Sequence, residues 1–197
     1  MIDTDVYSMF RIPYIITKVK PWDTIKEQII SAINSASDFR VDPQGFETDY
    51  YHLRTVTGHV VTSIPAKPNN YTAQVYGILK PFVAEITERY FMKPPPEEPP
   101  LMWSQKYNRK SEHPVHNHGN RGFSFILYLK YDPMKHKATR FYCPFSDFFT
   151  GEMTTFAPEV EEGDLIAFPS SILHSSDLHT ADTERMILAF NLYQHGF

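Results

Sequence analysis

Nine histidines stand out in this chain of 197 residues, and seven of them fall between His113 and the C-terminus. The segment His113-Pro-Val-His-Asn-His118-Gly is the densest run. In extended backbone, residues two apart point to one side, so His116 and His118 present their imidazoles together. His174 ends FPSSILH, after a further strand-like run. Three neutral imidazoles from two strands suit one divalent metal and leave coordination positions open, the plan of a catalytic rather than a structural site. Arg185 follows eleven residues after His174 and opens the run RMILAFNL. Alternation puts Arg185, Ile187, Ala189 and Asn191 on one face and Met186, Leu188 and Phe190 on the other. If the first face turns inward, a guanidinium enters the core beside the metal. That burial costs several kcal/mol (an order-of-magnitude figure) unless a carboxylate meets it, and a bidentate carboxylate ligand is the natural partner. The alternative is an outward Arg185 paired with a surface acid.

Taken together, His116-Asn117-His118, GDLIAFPSSILH with His174, and Arg185 leading into AFNL resemble the iron(II)- and 2-oxoglutarate-dependent oxygenases, in their prolyl-hydroxylase-like branch. The resemblance covers roughly the C-terminal half. It implies a double-stranded β-helix, with Fe(II) held by His116, His118 and His174. It further implies 2-oxoglutarate as co-substrate, its distal carboxylate on Arg185, and dioxygen as the second co-substrate. The outcome it implies is hydroxylation of an unidentified peptide or small-molecule substrate. Tyr107, Ser124 and Tyr128 are candidates for a further hydroxyl contact to the co-substrate, and Asn191 for the wall behind Arg185. The family pattern carries Asp or Glu where this chain has His118. Three neutral ligands would leave the metal one charge more positive, or bring in a nearby carboxylate such as Glu112 or Asp177. Two other classes stay open: a cupin-like three-histidine metalloprotein without 2-oxoglutarate, which has no use for Arg185 at this spacing, and a non-catalytic jelly-roll interaction protein.

The remaining histidines read as ordinary. His52 and His59 have no ligand-spaced neighbour, His113 is either an orienting neighbour of a ligand or exposed, and His136, His179 and His195 read as surface residues. Cys143 reads as a core thiol, and Trp103 as a core aromatic rather than part of a substrate cage.

The elements that must position these residues change character along the chain. Residues 1–100 carry the helical signals. Ile25, Ile29, Ile30 and Ile33 share a face of a first helix, with Thr24 and Glu27 at capping-box spacing. Tyr71, Val75, Ile78, Leu79, Phe82, Val83 and Ile86 mark a second helix over about 70–90, which Pro81 should kink or divide. Residues 44–66 read as irregular strand and loop. KPPPEEPP, at 93–100, is a stiff connector. Residues 101–197 then read as short strands at 102–108, 122–131, 139–143, 153–156, 164–168 and 185–192, separated by turns. The expectation is a single α+β domain: a jelly-roll catalytic core at 101–197, supported by helices and substrate-side loops in 1–100. Specificity would come from 44–66 and from the insertion at 144–160.

Composition excludes several classes. Hydrophobic residues make up 42%, so the chain has material for a core. Nineteen basic against 23 acidic residues give a net charge of −4, with no basic excess to suggest nucleic acid. A single cysteine excludes a disulfide framework or an all-cysteine metal site. No apolar run reaches membrane-span length, and the N-terminus lacks the form of a signal peptide. The expected compartment is the cytoplasm.

Overall fold

A computed structural model describes residues 12–50, 53–57, 60–64, 68–89, 93–120 and 122–193. His52, His59 and His195 lie outside the described residues. The elements are β1 (Ile15–Lys18), α1 (Trp22–Ala36), β2 (Arg40–Val41), β3 (Glu47–Thr48), β4 (Leu53–Thr57), β5 (Val60–Ile64), α2 (Thr72–Arg89), β6 (Met102–Tyr107), β7 (His113–His116), β8 (Phe123–Lys130), β9 (Arg140–Ser146), β10 (Met153–Phe156), β11 (Asp164–Pro169), β12 (His174–Ser176) and β13 (Arg185–Leu192).

One sheet has seven strands in the order β1-β11-β8-β13-β6-β3-β2, and a second has four, in the order β10-β9-β12-β7. Strands β4 and β5 form a separate hairpin. The larger sheet is buried on both faces, and alternation sorts its side chains. Phe125, Leu127, Leu165, Ala167, Met186, Leu188 and Phe190 pack against Ile29 and Ile33 of α1 and Val75, Leu79, Val83 and Ile86 of α2. Ile126, Tyr128, Ile166, Phe168, Ile187 and Ala189 face the other way, into a second core with Trp103, Tyr107 and Phe141. This is the double-stranded β-helix, with two helices on the outer face of one sheet and the inner core between the sheets.

Two local expectations are corrected. α1 starts at Trp22, its N-cap is Pro21, and no side chain caps it, so Thr24 and Glu27 lie inside the first turns and form no capping box. α2 runs unbroken through Pro81. The carbonyl that Pro81 deprives of a partner belongs to Gly77, and both residues are exposed, so water can take its place. The connector KPPPEEPP is docked on α2: Tyr76 donates a 2.8 Å hydrogen bond to the Pro96 carbonyl, and Lys80 pairs with Glu97 at 2.6 Å.

The glycine of GDLIAFPSS has a packing reason. Gly163 sits at φ +87°, and a Cβ there would lie 2.8 Å from the Trp22 ring. Gly163 thus lets the start of α1 close onto the turn that leads into β11.

Candidate active site

The metal-binding candidates converge because of strand pairing. His174 on β12 is the cross-strand partner of His116 on β7. His118 lies two residues beyond His116, and its backbone N–H donates to the Ser170 carbonyl at 2.9 Å, which ties it to the turn after β11. One ligand atom from each of His116, His118 and His174 falls within 4.8 Å of the others. His116 donates from Nδ1 to the Pro114 carbonyl at 2.8 Å, and His174 from Nδ1 to the Ile172 carbonyl at 2.9 Å. Each therefore leaves Nε2 as its unprotonated ligand nitrogen. Burial holds His174 neutral, with its pKa lowered to about 3, and lowers that of His116 as well. Among the described residues no carboxylate joins this group. Glu112 is exposed, and Asp177 is committed to Arg140, which donates to it from Nε at 2.9 Å and Nη2 at 2.5 Å.

The site opens into a cavity of about 810 Å³ lined by all three histidines, by Trp103, Gln105, Tyr107 and His113, and by Arg185, Ile187, Ala189 and Asn191. Arg185 is only 1% exposed, so the inward reading of β13 holds and the surface pairing fails. Its Nη1 donates to the Lys137 carbonyl at 2.6 Å, while Nε and Nη2 have no hydrogen-bond partner among the described residues. The Tyr107 ring lies under the guanidinium, 4.4 Å from its carbon, and Tyr107 is the cross-strand partner of Arg185. A buried guanidinium with two unpaired donors, facing a cavity, fits an incoming carboxylate.

The hydroxyl candidates separate. Tyr107 lines the cavity and donates to Gln105 Oε1 at 2.9 Å. Burial raises its pKa to about 12, so it serves as a neutral donor. Tyr128 is fully buried, and its hydroxyl is engaged by both the backbone N–H and the hydroxyl of Thr139. Ser124 donates to Asn191 at 2.7 Å and lies 3.1 Å from Ser170. Asn191 stands six residues along β13 from Arg185, about 20 Å at strand rise, so it lines the opposite end of the cavity and not the wall behind Arg185.

Trp103 is the core aromatic expected of it, and it also lines the cavity, its ring 5.7 Å from His118 and 4.7 Å from Tyr50. Two blander readings are corrected. Cys143 is half-buried on β9 rather than a core thiol. His136 and His179 are buried, at 7% and 5% exposure, and not surface residues. His136 accepts from the Asp132 N–H and lies 2.9 Å from the Thr183 hydroxyl, and His179 donates to the Thr183 carbonyl at 2.7 Å. Strand patterning has no purchase on these two, because they are buried by loops closing over one another. Of the two readings of His113, the structure has the neighbour of a ligand candidate: its ring stacks on His116 with centroids 4.0 Å apart.

Residues 101–191, a little under half of the chain, match the family model described as "Putative 2OG-Fe(II) oxygenase". The match runs from β6 into β13 and takes in His116, His118, His174 and Arg185, so the likeness to that family lies in the jelly-roll part of the chain. Among solved structures, a prolyl-4-hydroxylase from Pseudomonas putida is 14% identical, with 94% of each chain covered and a TM-score of 0.59. HygX from Streptomyces hygroscopicus, with nickel, 2-oxoglutarate and hygromycin B bound, is 13% identical, with 94% of this chain and 84% of that one covered and a TM-score of 0.61. A prolyl hydroxylase from Trichoplax adhaerens, in complex with a hypoxia inducible factor peptide fragment, is 9% identical over 92% of this chain and 83% of that one, at a TM-score of 0.56. At these identities the likeness lies in the fold. No curated protein matches the sequence. No helix among the described residues is long and apolar enough to cross a membrane.

Proposed function

We propose that this protein hydroxylates a peptide side chain or a small molecule, with His116, His118 and His174 as the Fe(II) ligands and Arg185 and Tyr107 receiving the co-substrate. The observation that carries this reading is Arg185: a buried guanidinium with two unpaired nitrogens, in the same cavity as three imidazoles whose ligand atoms lie within 4.8 Å. Iron(II) and 2-oxoglutarate bound there would supply dioxygen activation coupled to decarboxylation of the co-substrate to succinate.

The chain's own residues prepare that chemistry. The Pro114 and Ile172 carbonyls hold His116 and His174 in the tautomer that offers Nε2. Arg185 presents Nε and Nη2 to one carboxylate, and Tyr107 supplies the aromatic face beneath the guanidinium. Trp103 and Tyr50 wall the cavity beside His118 and limit water at the metal face. Tyr128 supports the wall rather than the co-substrate, since Thr139 occupies its hydroxyl. Asn191 belongs with the far end of the cavity, beside Ser124.

We further read residues 1–197 as one domain, with 1–100 supporting a catalytic core at 101–197. Its compartment is the cytoplasm, in keeping with a single cysteine, and the balanced charge favours a substrate other than nucleic acid.

The test is succinate formation from 2-oxoglutarate with Fe(II) and dioxygen. The expected result is turnover by the wild type and a loss of 2-oxoglutarate affinity of about 100-fold or more in Arg185→Ala, equivalent to removing a bidentate charged pair. Iron binding without turnover of 2-oxoglutarate, or turnover indifferent to Arg185, would favour the cupin-like reading instead.

A further inference from the structure

His113 is three residues before His116, an odd spacing that in a regular strand places the two side chains on opposite faces. In the structure their rings are stacked, centroids 4.0 Å apart and planes 26° apart. The pairing of β7 with β12 shows why. His116 stands opposite His174 and His113 opposite Ser176, so three steps on β7 match two on β12. β7 therefore carries one extra residue, a bulge, and the bulge turns His113 to the metal side. Pro114, which has no N–H to give a ladder, lies inside it.

The ring of His113 is also held from behind. Tyr107 donates to Gln105 Oε1, which directs the Gln105 amide N–H toward His113 Nδ1 at 3.4 Å. Phe46 packs against His113 at 4.7 Å between ring centroids. Trp103, Gln105 and Tyr107 alternate along β6 and all line the cavity, so one strand touches His118, His113 and Arg185 in turn.

We propose that His113 is a positioning residue for the metal site: held by Gln105, its ring braces the imidazole of His116 in the plane from which Nε2 reaches the metal. The proposal rests on the assignment of His116, His118 and His174 as ligands. The sequence offers His113 as either an orienting neighbour or an exposed residue, and the bulge at Pro114 is what places it beside His116.

Metal affinity tests the brace without any substrate. Co(II) alone is titrated into the full-length, metal-free protein, with a chromophoric chelator as competitor and the visible Co(II) spectrum as a second readout. His113→Ala should weaken Co(II) by roughly 10- to 100-fold, the usual cost of losing a residue that orients a ligand. His113→Phe keeps a ring against His116 and should bind close to wild type, while Gln105→Leu falls between the two. Thermal unfolding of the metal-free variants separates this effect from loss of fold, because the Phe variant restores binding only if the ring is what matters. His174→Ala is the control. Wild-type Co(II) affinity in His113→Ala, with binding abolished in His174→Ala, overturns the brace and leaves the ligand assignment standing. Equal losses in the Ala and Phe variants of a folded protein also overturn the brace. Unchanged affinity in His174→Ala overturns the ligand assignment itself.

Discussion

Arg185 donates a 2.6 Å hydrogen bond to the carbonyl of Lys137 and leaves its Nε and Nη2 unpaired inside the barrel. A charge buried to 1% exposure with so little compensation is a standing cost to the fold, one that a bound carboxylate would offset. Replacement by an apolar residue therefore separates stability from function. Arg185→Leu is expected to match or exceed the wild type in thermal midpoint without ligand, yet to lose the stabilisation that 2-oxoglutarate with metal confers. Differential scanning fluorimetry with and without the co-substrate reads both at once. A large drop in the ligand-free midpoint would show that Arg185 is structural.

Acid should weaken the metal-free fold through its buried imidazoles. Burial lowers the pKa of His113 and His174 to about 3, and lowers that of His136, from the ordinary value of 6.5. The unfolded chain then takes up protons below about pH 6.5 that the folded chain refuses until near pH 3, so folding stability falls as pH drops through that window. The slope is at most about 1.4 kcal/mol per pH unit for each such group. Urea denaturation of the metal-free protein between pH 7 and pH 4 measures it, and His136→Gln, which keeps a neutral polar side chain, should flatten the slope.

At position 118 the chain places a neutral imidazole, and no carboxylate among the described residues substitutes for it. His118→Asp adds a negative charge beside the metal. It is expected to tighten binding of the harder ions Fe(II) and Mn(II), by roughly tenfold relative to Ni(II). Competition titrations on the two proteins give the ratio directly, and an unchanged ratio would mean that His118 is not a ligand.

Gly163 holds a left-handed backbone with the Trp22 ring where a side chain would go, 2.8 Å from an added Cβ. Gly163→Ala should destabilise the protein by about 2–4 kcal/mol, combining the backbone penalty with displacement of the indole. Chemical denaturation reads this, and the metal ligands, which lie on other strands, should keep their affinity in the folded fraction.

The longer strands that frame the cavity, β6, β8 and β13, were legible in the sequence. The period-two pattern of β13 put Arg185, Ile187, Ala189 and Asn191 on one face, and the structure turns that face inward. His116 and His118 were legible for the same reason. What alternation cannot show is a break in itself: the bulge in β7 reversed the side of His113, and only Pro114 hints at it. Burial made by loops was equally hidden, since His136 and His179 meet across Thr183 through contacts remote in sequence. The short strands β1, β2, β3 and β12 are two to four residues long, too brief for a period to declare itself, and take their form from the longer strands beside them. The helix start was misplaced because Thr24 and Glu27 have capping-box spacing, while the turn at Pro21 sets the boundary by backbone geometry alone.

The central claim is that one cavity joins a three-histidine metal site to a carboxylate-binding Arg185. Anaerobic addition of 2-oxoglutarate to the Fe(II)-loaded protein tests it most directly, through the weak visible charge-transfer absorption of a chelated iron–2-oxoglutarate pair. The band is expected to appear in the wild type, to be absent from His174→Ala at any co-substrate concentration, and in Arg185→Ala to require about 100-fold more 2-oxoglutarate. Iron binding without the band, or a band indifferent to Arg185, would contradict it.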